Sequence, residues 1–199
     1  MIKNIIFDFG DIFINLDKMA TPKAMAQFGF KQITPALDKI FKNYEKGTIS
    51  TQDFLKQINT IFPKATAKNL IEAWNAILKD FPEYRLHFLK ELKEQGRYRL
   101  FLLSNTNDLH IEQVKKQMGS TYKDFKACFE VFYLSYEMGK RKPDAPIFEQ
   151  VLEENNLKAE ETFFIDDTKE NTDAANQLGI KTWNLQVGQQ DIIDLNNYL

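Results

Sequence analysis

Three polar clusters each end a short apolar run: Asp8-Phe9-Gly10-Asp11 after residues 5–7, Ser104-Asn105 after 100–103, and Asp166-Asp167 after 162–165. A fourth, Lys142-Pro143, lies downstream of the apolar run 131–134. The residue types complement one another. An aspartate can attack phosphorus and form an acyl phosphate, but attack by one anion on another needs neutralising charge, which Mg²⁺ and a lysine supply. Magnesium takes oxygen ligands in an octahedron. Asp8 and one of Asp166 and Asp167 would give two carboxylates, with a backbone carbonyl near Gly10, water and substrate phosphate completing the set. Ser104 and Asn105 offer neutral donors to phosphoryl oxygens, and Lys142 offers a fixed positive charge. Singly these are commonplace features: a strand-end turn, a helix cap, a solvated bend and a surface acid pair. Their combination at successive strand ends carries the inference.

The elements that would position them follow from the apolar pattern. The runs 5–7, 100–103, 131–134 and 162–165 read as strands buried on both faces, and 180–185 as a fifth. Between them, 109–118, 146–157 and 171–178 have helical spacing, the last closed by Gly179. This alternation predicts an α/β fold, a parallel sheet with helices on both faces whose ligands sit outside the carboxyl ends of the strands. One segment interrupts it. From 17 to 88 only helical pattern is found, at 23–30, 35–46, 51–62 and 67–78, separated by Gly47, Pro63 and Pro82. Ser50 is expected to cap the third of these helices, and Trp74, Phe54 and Phe62 to form the core of the bundle.

With this order of clusters and this insertion, the chain resembles the haloacid dehalogenase superfamily of hydrolases with a helical cap inserted after the first motif. Ile6-Phe7-Asp8-Phe9-Gly10, Leu102-Leu103-Ser104-Asn105-Thr106, Gly139-Lys140-Arg141-Lys142-Pro143-Asp144 and Phe164-Ile165-Asp166-Asp167 with Asn171 resemble its four motifs, in its order. The resemblance implies a Rossmann-like core of residues 1–16 and 89–199 with a four-helix cap at 17–88. It also implies Asp8 as nucleophile, Ser104, Asn105 and Lys142 as phosphate binders, and Asp8, the Gly10 carbonyl and Asp167 as Mg²⁺ ligands, with Asp166 as an outer partner. Within the family, Leu-Ser-Asn-Thr-Asn and Lys-Pro-Asp-x-Pro-Ile-Phe most resemble bacterial phosphatases of alpha-glucose 1-phosphate and related sugar phosphates. One position departs. Most phosphatases of the superfamily carry a second aspartate two residues after the nucleophile as general acid; here stands Gly10, and Asp11 follows one residue later.

Composition narrows the classes. A chain of 199 residues, 43% apolar and 27% charged, can bury a sizeable core, and a formal charge of -2 gives no basis for a nucleic-acid partner. No apolar run approaches the roughly 18–20 residues of a membrane span. Cys128 is the single cysteine, which excludes an internal disulfide, and the opening residues lack a signal-peptide layout, so a cytoplasmic location is expected. Cys128 reads as a buried thiol, His87 as a surface residue, and His110, six residues after Ser104, as a cap or a substrate contact. The segment 17–88 carries eleven Lys/Arg against seven Asp/Glu, an excess that would attract phosphate esters if it covered an acidic site. The expected activity is thus a Mg²⁺-dependent phosphomonoesterase on a small phosphorylated metabolite. The alternatives are metal-independent carbon–halogen hydrolysis by the same nucleophile, which leaves the acidic pair without a purpose, and a weakly active phosphometabolite-binding protein.

Overall fold

The five apolar runs form the strands β1 (Asn4–Phe7), β2 (Arg99–Ser104), β3 (Val131–Leu134), β4 (Thr162–Asp166) and β5 (Lys181–Asn184). In the computed structural model, which describes residues 1–199, they pair in one all-parallel sheet of order β3-β2-β1-β4-β5. β1 is therefore central. Its last residue, Phe7, is in register with Leu102 on one side and Ile165 on the other, so Asp8 and Asp166 follow side by side past the same edge. Both faces are covered, which is why the strands read as unbroken apolar runs rather than alternating ones. Ile5, Phe7, Leu102 and Ile165 pack with the helix α5 (Glu83–Glu94) and with α6 (Asp108–Met118). On the opposite face Ile6, Phe101, Leu103 and Phe164 pack with α9 (Ala145–Glu154) and α10 (Lys169–Gln177). No helix is long and apolar enough to cross a membrane.

The inserted segment builds its own core from α1 (Ala20–Ala26), α2 (Pro35–Glu45), α3 (Thr51–Ile61) and α4 (Ala67–Asn75). Phe54 and Phe62 lie in that core and Trp74 packs against it. Ser50 caps α3 as expected, its hydroxyl accepting from the Asp53 N–H at 3.1 Å. Three boundaries differ from the sequence reading. The first helix lies at Ala20–Ala26 rather than 23–30, because Gly29, at φ +99°, turns the chain. The fourth ends at Asn75 rather than 78, because Leu78 leaves it to bridge Leu16 in the other linker. The division at 88 would cut α5 in two; Leu86, Leu89 and Leu92 of that helix belong to the sheet's core, so the insertion ends before Pro82. Two short helices, α7 (Thr121–Ala127) and α8 (Ser135–Met138), were not legible in the periodicity.

The inserted helices rest on the sheet domain where α2 ends. Gly47 there has φ +64°, and a Cβ built on it would stand 2.1 Å from the Tyr136 carbonyl oxygen. Glycine is required on both counts. Gly47→Ala is expected to destabilise by at least about 1–3 kcal/mol, the ordinary penalty of a left-handed non-glycine residue, with the backbone clash added. Urea unfolding of the variant measures this; an unchanged midpoint would show that the loop can lift off Tyr136 freely.

Candidate active site

Asp8 stands one residue beyond β1, and Lys142 reaches it from the loop between α8 and α9. The lysine Nζ lies 2.7 Å from Asp8 Oδ1 and 2.6 Å from Asp166 Oδ2, with only 1% of its side chain exposed. Asp166 is fully buried and its oxygens are engaged: Oδ2 also accepts from Asn171 Nδ2 at 2.9 Å, and Oδ1 accepts from the Thr168 N–H at 2.8 Å. Asp8 Oδ2, by contrast, accepts no hydrogen bond, and Asp8 lines an open cleft. Asn105 lines the same cleft and is also tied to Lys142. Its Oδ1 accepts from the Lys142 N–H and its Nδ2 donates to the Lys142 carbonyl, both at 2.8 Å, so this side chain fixes the lysine backbone. Ser104, buried at the end of β2, does not line the cleft.

Asp167 faces the cleft and takes Lys18 Nζ on Oδ2 at 2.6 Å, leaving Oδ1 without a partner. Carboxylate oxygens of Asp8, Asp166 and Asp167 lie within 4.8 Å of one another. Such a set, all oxygen and in excess of the two lysines, suits a hard divalent cation. The Gly10 carbonyl, on the same cleft, accepts no hydrogen bond within the chain. Burial, opposed by Lys142 and reinforced by Asp166, pushes the Asp8 carboxyl up to about 7. Burial works against the Lys142 ammonium too, yet Asp166 and Asp8 outweigh it and hold the lysine above its ordinary pKa. Burial likewise raises Asp167 despite Lys18.

The missing acid is not supplied by its neighbours. A Cβ at Gly10 would meet Leu16 Cδ1 at 2.8 Å, so leucine occupies the space an acidic side chain would need. Asp11, at φ +56°, accepts from the Leu16 N–H at 2.9 Å and faces Lys18 at 3.1 Å; it fixes the loop and does not line the cleft. His110 is held between Asn107 on Nδ1 and the Trp74 carbonyl on Nε2, away from Asp8, and burial lowers its pKa to about 4, so it is neutral. His87 is exposed. The Cys128 thiol is buried and burial raises its pKa, as expected of an unreactive cysteine.

Two contributors were not among the expected site residues. Of the eleven basic residues in 17–88, Lys18 alone lines the cleft, and nothing in its spacing distinguishes it. Arg141 lines the cleft while its guanidinium holds Glu45 of α2 at 2.9 Å, an ion pair that ties the cap to the Lys142 loop.

A family model for haloacid dehalogenase-like hydrolases matches residues 2–179. The chain belongs to that family. Among curated proteins, it is similar to a D-ribitol-5-phosphate phosphatase of Bacteroides thetaiotaomicron, 29% identical over 94% of each chain. A glyceraldehyde 3-phosphate phosphatase of Methanocaldococcus jannaschii is 27% identical over 100% of this chain and 91% of its own. Among solved structures, a haloacid dehalogenase-family enzyme of Bacteroides thetaiotaomicron, in complex with magnesium and inorganic phosphate, superimposes with a TM-score of 0.83. It is 38% identical, over 96% of this chain and 97% of that one. The finer likeness to phosphatases of alpha-glucose 1-phosphate finds no support in these relatives. As a haloacid dehalogenase-like hydrolase, the chain has a reason to bury a carboxylate, Asp8, beside a lysine at a cleft.

Proposed function

We propose that this hydrolase is a Mg²⁺-dependent phosphomonoesterase working through an aspartyl-phosphate on Asp8. The observation that carries the reading is the asymmetry of Asp8: one oxygen is fixed by Lys142 and the other is unengaged, on a cleft that Asp167 also lines with an unengaged oxygen. Asp8 and Asp167, with the Gly10 carbonyl, would hold the ion; Asp166, whose oxygens are engaged, instead fixes Lys142. Bound magnesium supplies positive charge to the phosphoryl oxygens approached by a carboxylate. Asp8 Oδ2 attacks phosphorus, the ester oxygen leaves with its electron pair, and water then cleaves the acyl phosphate to regenerate Asp8 and release phosphate. Lys142 neutralises charge throughout. Asn105 keeps it in place, and the segment between Asp17 and Pro82 serves as a cap whose Lys18 and Glu45 meet the site. The phosphatase relative that acts on ribitol 5-phosphate and the neighbour holding magnesium and phosphate support the same chemistry. A metal-independent halide displacement would leave the Asp167 carboxylate facing the cleft without a task.

Phosphate release from acetyl phosphate is expected with Mg²⁺ and not with a chelator. Asp167→Ala should raise the Mg²⁺ needed for half-maximal rate by at least about tenfold, with activity partly recovered at high metal. If Asp166→Ala raises the metal requirement more than Asp167→Ala does, the two acids exchange roles; chelator-insensitive release removes the metal from the proposal.

A further inference from the structure

Beside the cleft the cap holds a second cavity of about 210 Å³. Its walls are aromatic and aliphatic, with Phe41, Phe54, Ile58, Phe62, Leu70 and Trp74 among them. The two spaces adjoin. Lys18 lines both, and the Glu45–Arg141 ion pair has its carboxylate on the cavity and its guanidinium on the cleft. Exposed Ile33, also part of the lining, brings the cavity to solvent.

The polar groups on that lining are few, and most are already engaged within the protein. The Thr21 hydroxyl donates to the Ala73 carbonyl at 2.8 Å, and His110 uses both ring nitrogens on Asn107 and the Trp74 carbonyl. Glu45 holds Arg141, and Lys18 holds Asp167 and Asp11. A polyhydroxylated chain entering here would lose water from each hydroxyl and find few partners, the Glu45 oxygen that Arg141 leaves unengaged among them, which is unfavourable. A hydrocarbon chain would gain about fourfold in binding per methylene buried. A 150 Å³ apolar cavity is known to hold benzene, which scales to roughly eight carbons here.

We infer that the substrate's leaving group is apolar, an alkyl, alkenyl or aryl alcohol of about eight carbons seated in the cap while its phosphate lies against Asp8. This rests on the phosphatase reading above and departs from the polyol substrate of the ribitol-phosphate relative.

The test is kcat/KM with Mg²⁺ for butyl, hexyl and octyl phosphate, with ribitol 5-phosphate and acetyl phosphate alongside. Leaving-group pKa is nearly constant along the alkyl series, so chain length reports the cavity. We expect at least a 30-fold rise from butyl to octyl, with ribitol 5-phosphate below butyl. Ile58→Phe, which fills the cavity, should lower the octyl-to-acetyl rate ratio at least tenfold. Because that variant can overpack the cap, wild-type inhibition by octylphosphonate against methylphosphonate is measured too, and octyl should bind at least 30-fold more tightly. Hydrolysis of acetyl phosphate with a flat alkyl series, or a preference for ribitol 5-phosphate, overturns the inference alone. No release from any ester overturns it together with the phosphatase reading.

Discussion

Replacing Lys142 by methionine is expected to abolish phosphate release and to destabilise the protein by about 3–5 kcal/mol, the usual result of leaving buried charge unpaired. The lysine is 1% exposed and bridges Asp8 and the fully buried Asp166. Methionine fills most of the same space, so the loss is electrostatic rather than a cavity. Asp166 keeps Thr168 and Asn171 but no opposite charge. Without the ammonium, which opposes burial at Asp8, that carboxyl should hold its proton to a higher pH still in the folded chain. Wild-type Asp8 ionises in the folded chain above about 7 and the variant's does not, so the deficit relative to wild type grows as pH rises above about 7. Unfolding by urea in chelator at pH 5 and pH 8 should therefore show the larger loss at pH 8. Adding Asp166→Asn to Lys142→Met should recover stability and no activity. If the double variant is no more stable than Lys142→Met, the buried charge of Asp166 is not the source of the loss.

The pattern of apolar runs made the sheet legible because strands buried on both faces need no alternation, and β1, β2, β3 and β4 each surface as a single run. Asp8, Lys142 and the acidic pair were legible for a related reason, since parallel strands all deliver their carboxyl ends to one edge. Roles were harder to read than positions. Asn105 lines the cleft, and its amide also fixes Lys142, a contact made 37 residues away in the chain that no local spacing encodes. Lys18 was invisible because its importance depends on how the Asp11 loop turns, and that turn rests on a positive φ at a non-glycine residue. The end of the inserted segment is not legible because α5 is helical like the bundle before it; only its packing of Leu86, Leu89 and Leu92 against the sheet separates it from that bundle. The apolar face of Phe54, Phe62 and Trp74 has the same pattern whether it closes a core or lines a cavity, so composition could not separate the two.

Asp8→Asn separates function from stability most sharply, because the two should move in opposite directions. Turnover is expected to fall by about 10³–10⁶-fold, the scale seen when a nucleophile is removed, since the amide can neither attack phosphorus nor replace the charged ligand. Stability of the metal-free protein should rise at pH 8. Burial holds the Asp8 carboxyl at about 7 in the folded chain against its ordinary 3.8, so ionising it is easier after unfolding. Below about 3.8 both states carry the proton and the aspartate costs nothing. Between 3.8 and 7 the unfolded chain ionises while the folded one does not, and the wild type loses stability as pH rises; above 7 the penalty is complete. Asparagine has no such titration, and its Oδ1 can still accept from Lys142, which also retains Asp166. The melting temperature of Asp8→Asn in chelator should thus exceed that of the wild type at pH 8, with the gap closing toward pH 4. A variant less stable than wild type at pH 8 would show that the pairing with Lys142 outweighs burial at Asp8, and retained turnover would remove Asp8 as the nucleophile.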